Sequence, residues 1–487
     1  MSTHSFSLPP ARLQRWAPLP VILTGTFMVV LDFFIVNVAL PSIQTRLHAS
    51  SSSVEWVVAG YGLTTAVLLI TGARMGDRWG RRRVFTAGLA LFTVSSAACG
   101  VAPTPTMLVA SRLAQGAAGA LLMPNVIAII GVLYEGGDRA RALAAYGMVM
   151  GLAAVSGQLI GGVLVQADPA GLGWRSCFLI NVPVGVLAVA CASRVIPESR
   201  APRVKGVDAP GTALVTLGLT AIVLPLVEGR AHGWPLWTWL SLACAPVLLG
   251  AFAAHRRRLA ARGAPALLPA GMLASPGLAA GLAAQLLFWC GQASFFLVLS
   301  LYLQQGRRLN ALHAGLVFTI LAVAYLATSL PAPAMTLRHG RRVLATGALV
   351  LAAGHLALAL AVGAVGVGGS VVALVPGLVL VGAGMGLGIT PLASLIMGAL
   401  DPEQAGAVSG VLATMQNVGG ALGVAVIGVI FYGALPHGIV HAFQLSVVAL
   451  AVALTGVAAL TRLLPAGSAG ATTASGRPQP APAKVGS

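Results

Sequence analysis

The sequence predicts an all-α integral membrane protein with fourteen transmembrane helices. Of its 487 residues, 57% are hydrophobic and only 8% are charged, whereas about 25% of the residues in a soluble domain are charged. The chain contains fourteen mostly apolar runs, each of about 20 residues, which is the length that a helix needs to cross the hydrocarbon core of a bilayer. Strands of a membrane β-barrel would be about half as long and would alternate in polarity, so the pattern favours helices.

The fourteen apolar runs follow one another along the chain with short polar connections. The first, from Leu19 to Leu40, follows two arginines as in a signal peptide. A run of about 22 residues is too long for the apolar part of a signal peptide, and we assign it to the first membrane helix. The runs begin near Leu19, Val54, Val84, Met107, Ala144, Cys177, Pro210, Leu236, Gly277, Leu312, Val343, Val371, Ala407 and His441.

The basic residues predict how the chain is oriented in the membrane. In a soluble protein the net charge of +18 would suggest a nucleic-acid partner, but here the basic residues form short clusters between apolar runs, and we expect no nucleic acid. With a cytoplasmic N-terminus, the cytoplasmic segments hold 23 of the 29 lysines and arginines, as the positive-inside rule requires. The sequence thus predicts a multi-pass protein of the plasma membrane with both termini in the cytoplasm.

A repeated loop divides the chain into two similar halves. Gly80-Arg81-Arg82 follows helix 2, and Gly340-Arg341-Arg342 follows helix 10, eight helices later. Secondary transporters are often built from such repeats, with the substrate site between the halves near the middle of the membrane. We predict a six-helix bundle over residues 1–200, two extra transmembrane helices and a basic cytoplasmic loop over 201–270, a second six-helix bundle over 271–464 and a disordered cytoplasmic tail over 465–487.

The loop after helix 2 combines one acid with five arginines. It reads Ala73-Arg74-Met75-Gly76-Asp77-Arg78-Trp79-Gly80-Arg81-Arg82-Arg83. An acid near helix ends and arginines can form charge-assisted hydrogen bonds that break when the helices separate, as a gate requires. The alternative is a basic loop that only sets topology. The candidate gating residues are Asp77, Arg78, Gly80, Arg81 and Arg82.

This loop resembles motif A of the major facilitator superfamily, G-x-L-a-D-r-x-G-r-k, with Ala73 and Met75 replacing its first glycine and its leucine. Four further stretches resemble motifs of the fourteen-helix drug:proton antiporters in that superfamily. They are Leu31–Pro41 in helix 1, Arg112–Ala120 (motif B), Gly157–Gly162 (motif C) and Gly173–Pro183 at the start of helix 6. The resemblance implies the major facilitator fold, in which two six-helix bundles flank two extra central helices, and it implies antiport.

The chain departs from the family pattern at two positions. Gln158 stands where motif C usually has proline, so the bend that this proline gives helix 5 is an open question. Leu337 stands where a second gate loop would need an acid, so the C-terminal copy of motif A is degenerate.

Asp32 and Arg112 are the candidate proton-coupling residues. Asp32 lies about 13 residues into helix 1, roughly 20 Å from its cytoplasmic end, and is the only acid well inside an apolar run. An ionisable group in the membrane costs several kcal/mol and is a functional candidate by default. Arg112 lies at a similar depth in helix 4, so the two can pair. A cation favours the charged aspartate and a dry apolar environment favours the neutral form, so a conformational change could switch its protonation. The alternative is a structural ion pair.

Glycines and isolated polar residues supply the remaining candidates. Gly157, Gly161 and Gly162 let another helix pack closely on helix 5, and we expect them to gate by closing the cytoplasmic side. His355 is more easily explained as a packing residue than as a proton relay, and Glu228 as a solvated residue at the membrane interface. A mostly apolar pocket with few polar groups suits lipophilic ligands. The candidate substrate-binding residues are Asn37, Gln115, Gln158, Trp289, Gln292, Gln416 and Asn417, and Gln285 is a further candidate for the cavity wall.

These features predict a proton-coupled antiporter that exports hydrophobic, possibly cationic, drugs or toxic small molecules by alternating access. The alternative is a dedicated exporter of one endogenous metabolite, such as a self-made antibiotic. A nutrient symporter, a membrane enzyme and a receptor are less favoured, since catalytic clusters and nucleotide-binding loops are not evident in the sequence. We expect no enzyme activity, no cofactor besides the proton gradient, and a monomer whose partners are substrate, protons and lipid.

Overall fold

A computed structural model describes residues 15–200, 208–261, 276–398 and 402–464. In these ranges the chain forms helices and turns without a β-strand. The predicted basic loop after the eighth helix lies partly outside them, and the predicted tail over 465–487 lies wholly outside them. The first six membrane helices are α1 (Pro18–Arg46), α2 (Ser51–Trp79), α3 (Arg81–Val101), α4 (Pro105–Leu133), α5 (Gly136–Ala167) and α6 (Asn181–Val195).

Eight further helices complete the membrane-spanning part. All fourteen lie in segments long and apolar enough to cross a bilayer, which confirms the predicted fold class. They are α7 (Ala209–Glu228), α8 (Leu236–Ala261), α9 (Pro276–Leu301), α10 (Ala311–Ser329), α11 (Arg341–Val365), α12 (Val375–Gly398), α13 (Pro402–Ala434) and α14 (Ile439–Leu460).

Local sequence signals explain several helix boundaries. The Ser50 side chain accepts the backbone N–H of Ser53 at the start of α2, and Thr104 accepts that of Met107 at the start of α4. Such caps satisfy N–H groups that lack a partner inside the helix. The glycine of each repeated Gly-Arg-Arg sequence has a positive φ, +110° at Gly80 and +55° at Gly340. Glycine adopts this conformation without steric cost, which explains its place at both sharp turns.

The two bundles repeat the same packing. In the first, α2 and α3 pack on α4, α1 packs on α5, and α3 packs on α6. In the second, α10 and α11 pack on α12, α9 on α13, and α11 on α14. Each pair recurs with eight added to both helix numbers, the offset of the sequence repeat. The bundles meet mainly where α2 packs on α13 and α5 on α10, while α7 and α8 pack on each other and α7 also contacts α2 and α13.

Candidate functional site

A fully buried ion pair joins α1 to α4. Asp32 and Arg112 have no exposed surface, and the Arg112 guanidinium donates a hydrogen bond to the Asp32 carboxylate. The Nε of Arg112 donates to the backbone carbonyl of Val57 in α2 at 2.9 Å. The structure therefore brings together the two residues whose similar depth in the membrane suggested that they could pair. Buried charges need such additional hydrogen bonds because they have lost their hydration.

Two amides complete the surroundings of the carboxylate. Gln115 Nε2 and Asn181 Nδ2 donate to Oδ1 of Asp32 at 2.9 and 3.1 Å, and Gln115 also accepts from Arg112 at 2.8 Å. Gln115 was a candidate for substrate binding, but it lies in this cluster and not in the cavity wall. Sequence reasoning missed Asn181, although it belongs to the Gly173–Pro183 stretch that resembles the family.

The ring of Tyr61 lies between this cluster and a central cavity. The guanidinium carbon of Arg112 is 4.3 Å from the ring centroid, within cation–π range, and Tyr61 also lines the cavity. Gly116 permits this approach of α2 and α4, because a Cβ there would collide with the backbone carbonyl of Tyr61. Only the Tyr61 ring therefore separates this charged cluster from the cavity, so a change in the charge of Asp32 would alter the electrostatic potential at the cavity wall.

The cavity lies between the two bundles and has a volume of about 310 Å³. Helices α1, α2, α4 and α5 line one side, and α9, α10, α12 and α13 line the other. Four of the seven candidate substrate-binding residues lie in its wall: Gln158, Trp289, Gln416 and Asn417. Aromatic side chains form much of the rest: Phe33, Phe34, Tyr61, Phe296, Phe318 and Tyr325.

Two other polar candidates lie outside the cavity wall. Asn37 is 2% exposed, and its amide donates to the carbonyls of Phe33 and Phe34 in its own helix. Gln292 is buried in α9 away from the wall. Gln285, which the sequence suggested as a further residue of the cavity wall, is also buried in α9 outside that wall, and its amide donates to the carbonyl of Leu412.

Gln158 is the most distinctive polar group of the wall. It is 2% exposed, and neither its Oε1 nor its Nε2 has a hydrogen-bond partner among the described residues. A buried amide without partners is costly. The residue that replaces the motif proline thus lies in the cavity wall with a donor and an acceptor that are both unpaired and both buried.

Direct polar contacts between the bundles lie near the α1–α2 connection, at what the charge pattern predicts to be the extracellular end. The Ser300 hydroxyl donates to the carbonyl of Asn37 at 2.6 Å, and Gln304 donates to the carbonyl of Val38 at 3.0 Å. These bonds join α1 to the end of α9. Because both acceptors are backbone carbonyls of α1, the two bonds fix the position of α9 along α1.

The glycines of α5 lie at the same closure. A Cβ on Gly161 would lie 2.8 Å from the Ile35 side chain in α1, and one on Gly162 would lie 2.7 Å from the carbonyl oxygen of Ala311. Ala311 begins α10, directly after a predicted extracellular loop. We expected these glycines to close the cytoplasmic side. The structure instead shows close packing towards the predicted extracellular end, because α5 meets α1 and α10 in that half.

Residue order shows on which side of this closure the cavity lies. In α1 the lining residues Val29, Val30, Phe33 and Phe34 precede Asn37. In α2 the lining residues, of which Val58 is the first and Thr65 the last, follow Glu55, which is buried at the closure. The lining residues of α10, from Phe318 onward, likewise follow Ala311. On these three helices the cavity is therefore on the predicted cytoplasmic side of the closure, which separates it from the predicted extracellular side.

A second buried acid lies at the closure near the predicted extracellular end. Glu55 is 1% exposed and lies 3.6 Å from the Arg230 guanidinium, which follows α7 and lies 4.7 Å from the Tyr432 ring of α13. Asp32 is the only acid well inside an apolar run, but Glu55, at the start of such a run, is also buried. Glu228 keeps a partly exposed side chain at the end of α7, as expected of an interfacial residue, and it also accepts the indole N–H of Trp56 at 2.8 Å. The burial of Glu55 could not be predicted from the sequence, because residues at run ends can be exposed or buried.

His355 in α11 has the surroundings of a packing residue. It is 1% exposed, its Nδ1 lies 2.8 Å from the carbonyl of Leu351 one turn earlier, and its ring packs edge-on against Phe295 at 4.8 Å. These contacts lie within the second bundle, away from Asp32.

The loop after α2 is held by two separate carboxylates. Asp77 accepts from the Nε and Nη2 of Arg81 at 3.2 and 2.8 Å, across the turn at Gly80. Beyond the end of α6, Glu198 accepts the backbone N–H of Arg82 at 3.1 Å and lies 3.7 Å from its Nε. Arg78 is exposed. Sequence reasoning predicted the first contact but missed Glu198, which ties the loop to α6.

A profile of the Major Facilitator Superfamily matches residues 22–424 and 281–484 of the chain. The chain belongs to this superfamily. Its members are transporters, so this chain is a membrane transporter and not an enzyme.

Several relatives within the superfamily are named as exporters or resistance proteins. The chain is 41% identical to a probable actinorhodin transporter of Streptomyces coelicolor, over 88% of this chain and 74% of that protein. It is 34% identical to the cephamycin export protein CmcT of Amycolatopsis lactamdurans, over 91% of each. It is 30% identical to the multidrug resistance protein Stp of Mycobacterium tuberculosis, over 85% of this chain and 76% of that protein.

Solved structures show the same fold. A transporter of the POT family, crystallised with a thioalcohol-conjugated peptide, superposes with a TM-score of 0.66 over 91% of this chain and 94% of that chain. Its sequence identity is 16%, so the likeness concerns the major facilitator fold alone.

The loop contacts give a prediction for this major facilitator protein. Asp77→Asn or Arg81→Ala should lower the transport rate several-fold without lowering the amount of protein in the membrane, because either change removes the charge-assisted bonds between the ends of α2 and α3. Transport per inserted protein is the measurement. Arg83→Ala is the matched control. The Arg83 side chain is 64% exposed, and its Nε lies 3.7 Å from the nearest Glu198 carboxylate oxygen, which is beyond hydrogen-bond distance. Wild-type rates in both variants would reduce the loop to a topology signal.

Proposed function

We propose that this chain is a proton-coupled antiporter that exports hydrophobic small molecules from the cytoplasm. The observation that carries the proposal is the buried Asp32–Arg112 pair directly behind Tyr61, whose ring lines the apolar central cavity. Coupling of proton and substrate transport requires that the protonatable group and the substrate cavity influence each other. Here the ring of Tyr61 lies between them. The names of the relatives, which include antibiotic and multidrug exporters, support the same function.

Alternating access follows from the cavity geometry. In the conformation described here the cavity is shut towards the predicted extracellular end and receives substrate from the cytoplasmic side. Separation of α1 from α9 and of α5 from α10 would open it to the outside and release substrate. Protonation of Asp32 then cancels the charge opposite Arg112, which changes the electrostatics of the wall and favours the return of the empty carrier.

A second candidate is the dedicated export of one endogenous antibiotic. It is favoured by the relatives named for single compounds, an actinorhodin transporter and a cephamycin export protein. Both candidates use the same site and cycle and differ in the breadth of substrates.

Drug susceptibility tests the function. A host that lacks its own pumps and expresses this chain should tolerate higher concentrations of hydrophobic antibiotics, dyes or biocides and should accumulate less of them. Collapse of the proton gradient by an uncoupler should restore accumulation. Protection against many compounds supports a multidrug exporter, whereas protection against a single class supports a dedicated one. Unchanged accumulation of all compounds would contradict export.

The orientation is part of the proposal. Both termini should be cytoplasmic, because an even number of helices and the basic loops require it. A green fluorescent protein fused after Ser487 or inserted at Arg256 should fluoresce, and alkaline phosphatase at the same places should be inactive. Phosphatase activity at either site would overturn the topology.

A further inference from the structure

The cavity wall restricts the substrate class, and this inference rests on the proposed export function. The described residues that line the cavity include no Asp, Glu, Lys, Arg or His. A charged ligand would lose its hydration there without gaining a counter-charge, which is unfavourable. An uncharged ligand avoids this loss.

Asp32 does not supply the missing negative charge in this conformation. Its carboxylate has no exposed surface, and its oxygens accept from Arg112, Gln115 and Asn181. The pair that it forms with Arg112 is neutral as a unit. A cation in the cavity would therefore face a compensated carboxylate behind the Tyr61 ring.

The aromatic wall does not favour cations either. Aromatic rings can hold organic cations through cation–π contacts, but the Arg112 guanidinium already lies 4.3 Å from the centroid of the Tyr61 ring. A second cation at this ring would be repelled, and more strongly when Asp32 is protonated and Arg112 has no counter-charge. Stacking with an uncharged aromatic ligand has no such conflict.

Gln158 adds a directional requirement to this apolar wall. Its donor and its acceptor are both unpartnered, and the side chain is 2% exposed. Both atoms are buried, so a ligand that carries a donor next to an acceptor can satisfy them once the side chain turns towards the cavity. A ligand without them leaves the amide unpaired, and buried polar groups reject such ligands more strongly than apolar pockets reject a change of shape.

We propose that the cavity selects uncharged aromatic compounds that carry a hydrogen-bond donor beside an acceptor, and that Gln158 is the specificity-determining residue that pairs with these groups. Two other polar residues of the wall are already engaged in part: the Asn417 amide donates to the carbonyl of Ala413, and Thr65 donates to the carbonyls of Tyr61 and Gly116. Gln416 is only half-buried, so its amide does not depend on a ligand for hydrogen bonds.

Three naphthalene probes test the proposal on the purified full-length chain. Naphthamide is uncharged with a donor and an acceptor, naphthalene has neither, and naphthylmethyl-trimethylammonium is a cation. In equilibrium dialysis, naphthamide should bind at least about tenfold more tightly than the ammonium probe. Gln158→Leu should weaken naphthamide binding about tenfold or more and leave naphthalene binding unchanged or improved. Gln292→Leu, a buried glutamine outside the cavity wall, should change neither.

Three results would overturn the proposal. They are ammonium binding as tight as that of naphthamide, an equal effect of Gln158→Leu on naphthamide and naphthalene, and no binding of naphthamide to the wild type. The measurement needs no proton gradient. If the binding pattern holds while the protein moves no protons against substrate, the selectivity stands and the antiport mechanism fails.

Discussion

Asp32→Asn is expected to reduce proton–substrate exchange to the level of empty liposomes. Asparagine keeps the size of the side chain but cannot take or release a proton. Its single oxygen can replace only one of the two carboxylate oxygens, either Oδ2, which accepts from Arg112, or Oδ1, which accepts from Gln115 and Asn181. Its NH2 group, a donor, takes the place of the other, and the Arg112 charge is left unpaired. Removing one partner of a buried ion pair costs about 3–5 kcal/mol, so the amount of inserted protein must be measured beside activity.

The assay uses proteoliposomes with a pH-sensitive dye inside and follows proton flux after substrate is added. The double variant Asp32→Asn with Arg112→Gln separates the two roles, because it removes both buried charges. If the pair only holds α1 against α4, the double variant should recover both insertion and exchange. If Asp32 carries the proton, insertion should recover and exchange should not. Exchange at the wild-type rate in Asp32→Asn would make the pair structural, with His355 the next residue to test.

Gly162→Val is expected to lower turnover at least about fivefold by opposing closure at the predicted extracellular end. A Cβ at this position lies 2.7 Å from the Ala311 carbonyl oxygen and 3.1 Å from the Leu312 Cα. Both are backbone atoms of α10, so relief requires α5 and α10 to separate, and these helices belong to different bundles. Overpacking of this kind costs about 1–3 kcal/mol, enough to shift a balanced equilibrium about 5-fold to 150-fold towards the open state.

Labelling from outside reads out that shift. In a background without native cysteines, Ser300→Cys reports on the closure, because Ser300 has no exposed surface and binds the carbonyl of Asn37. Gly162→Val should increase its reaction with a membrane-impermeant maleimide. Gly137→Ala, on the same helix with no atom within 4 Å of the added Cβ, should leave both labelling and transport unchanged. Full transport by Gly162→Val would show that this contact is not needed for closure.

The sequence alone determined the number of helices, the repeat of eight helices and the superfamily. These follow from the thickness of the bilayer, from the cost of a charge inside it and from motifs that are continuous in the chain. It also singled out Asp32 and Arg112, because an ionisable side chain is conspicuous in an apolar run. Residues that take part through a neutral amide, such as Asn181, gave no comparable signal.

Only the tertiary structure decided which polar residues face the cavity and on which side the bundles close. A helix that is apolar on all sides shows no difference between the surface that meets lipid and the surface that meets protein, so Gln158 could not be separated from Asn37 or Gln292 beforehand. The Glu55–Arg230 contact joins residues at the ends of distant runs, and the closure at Gly162 depends on how α5 crosses α10. Both are set by packing between helices far apart in the chain, which local hydropathy does not encode.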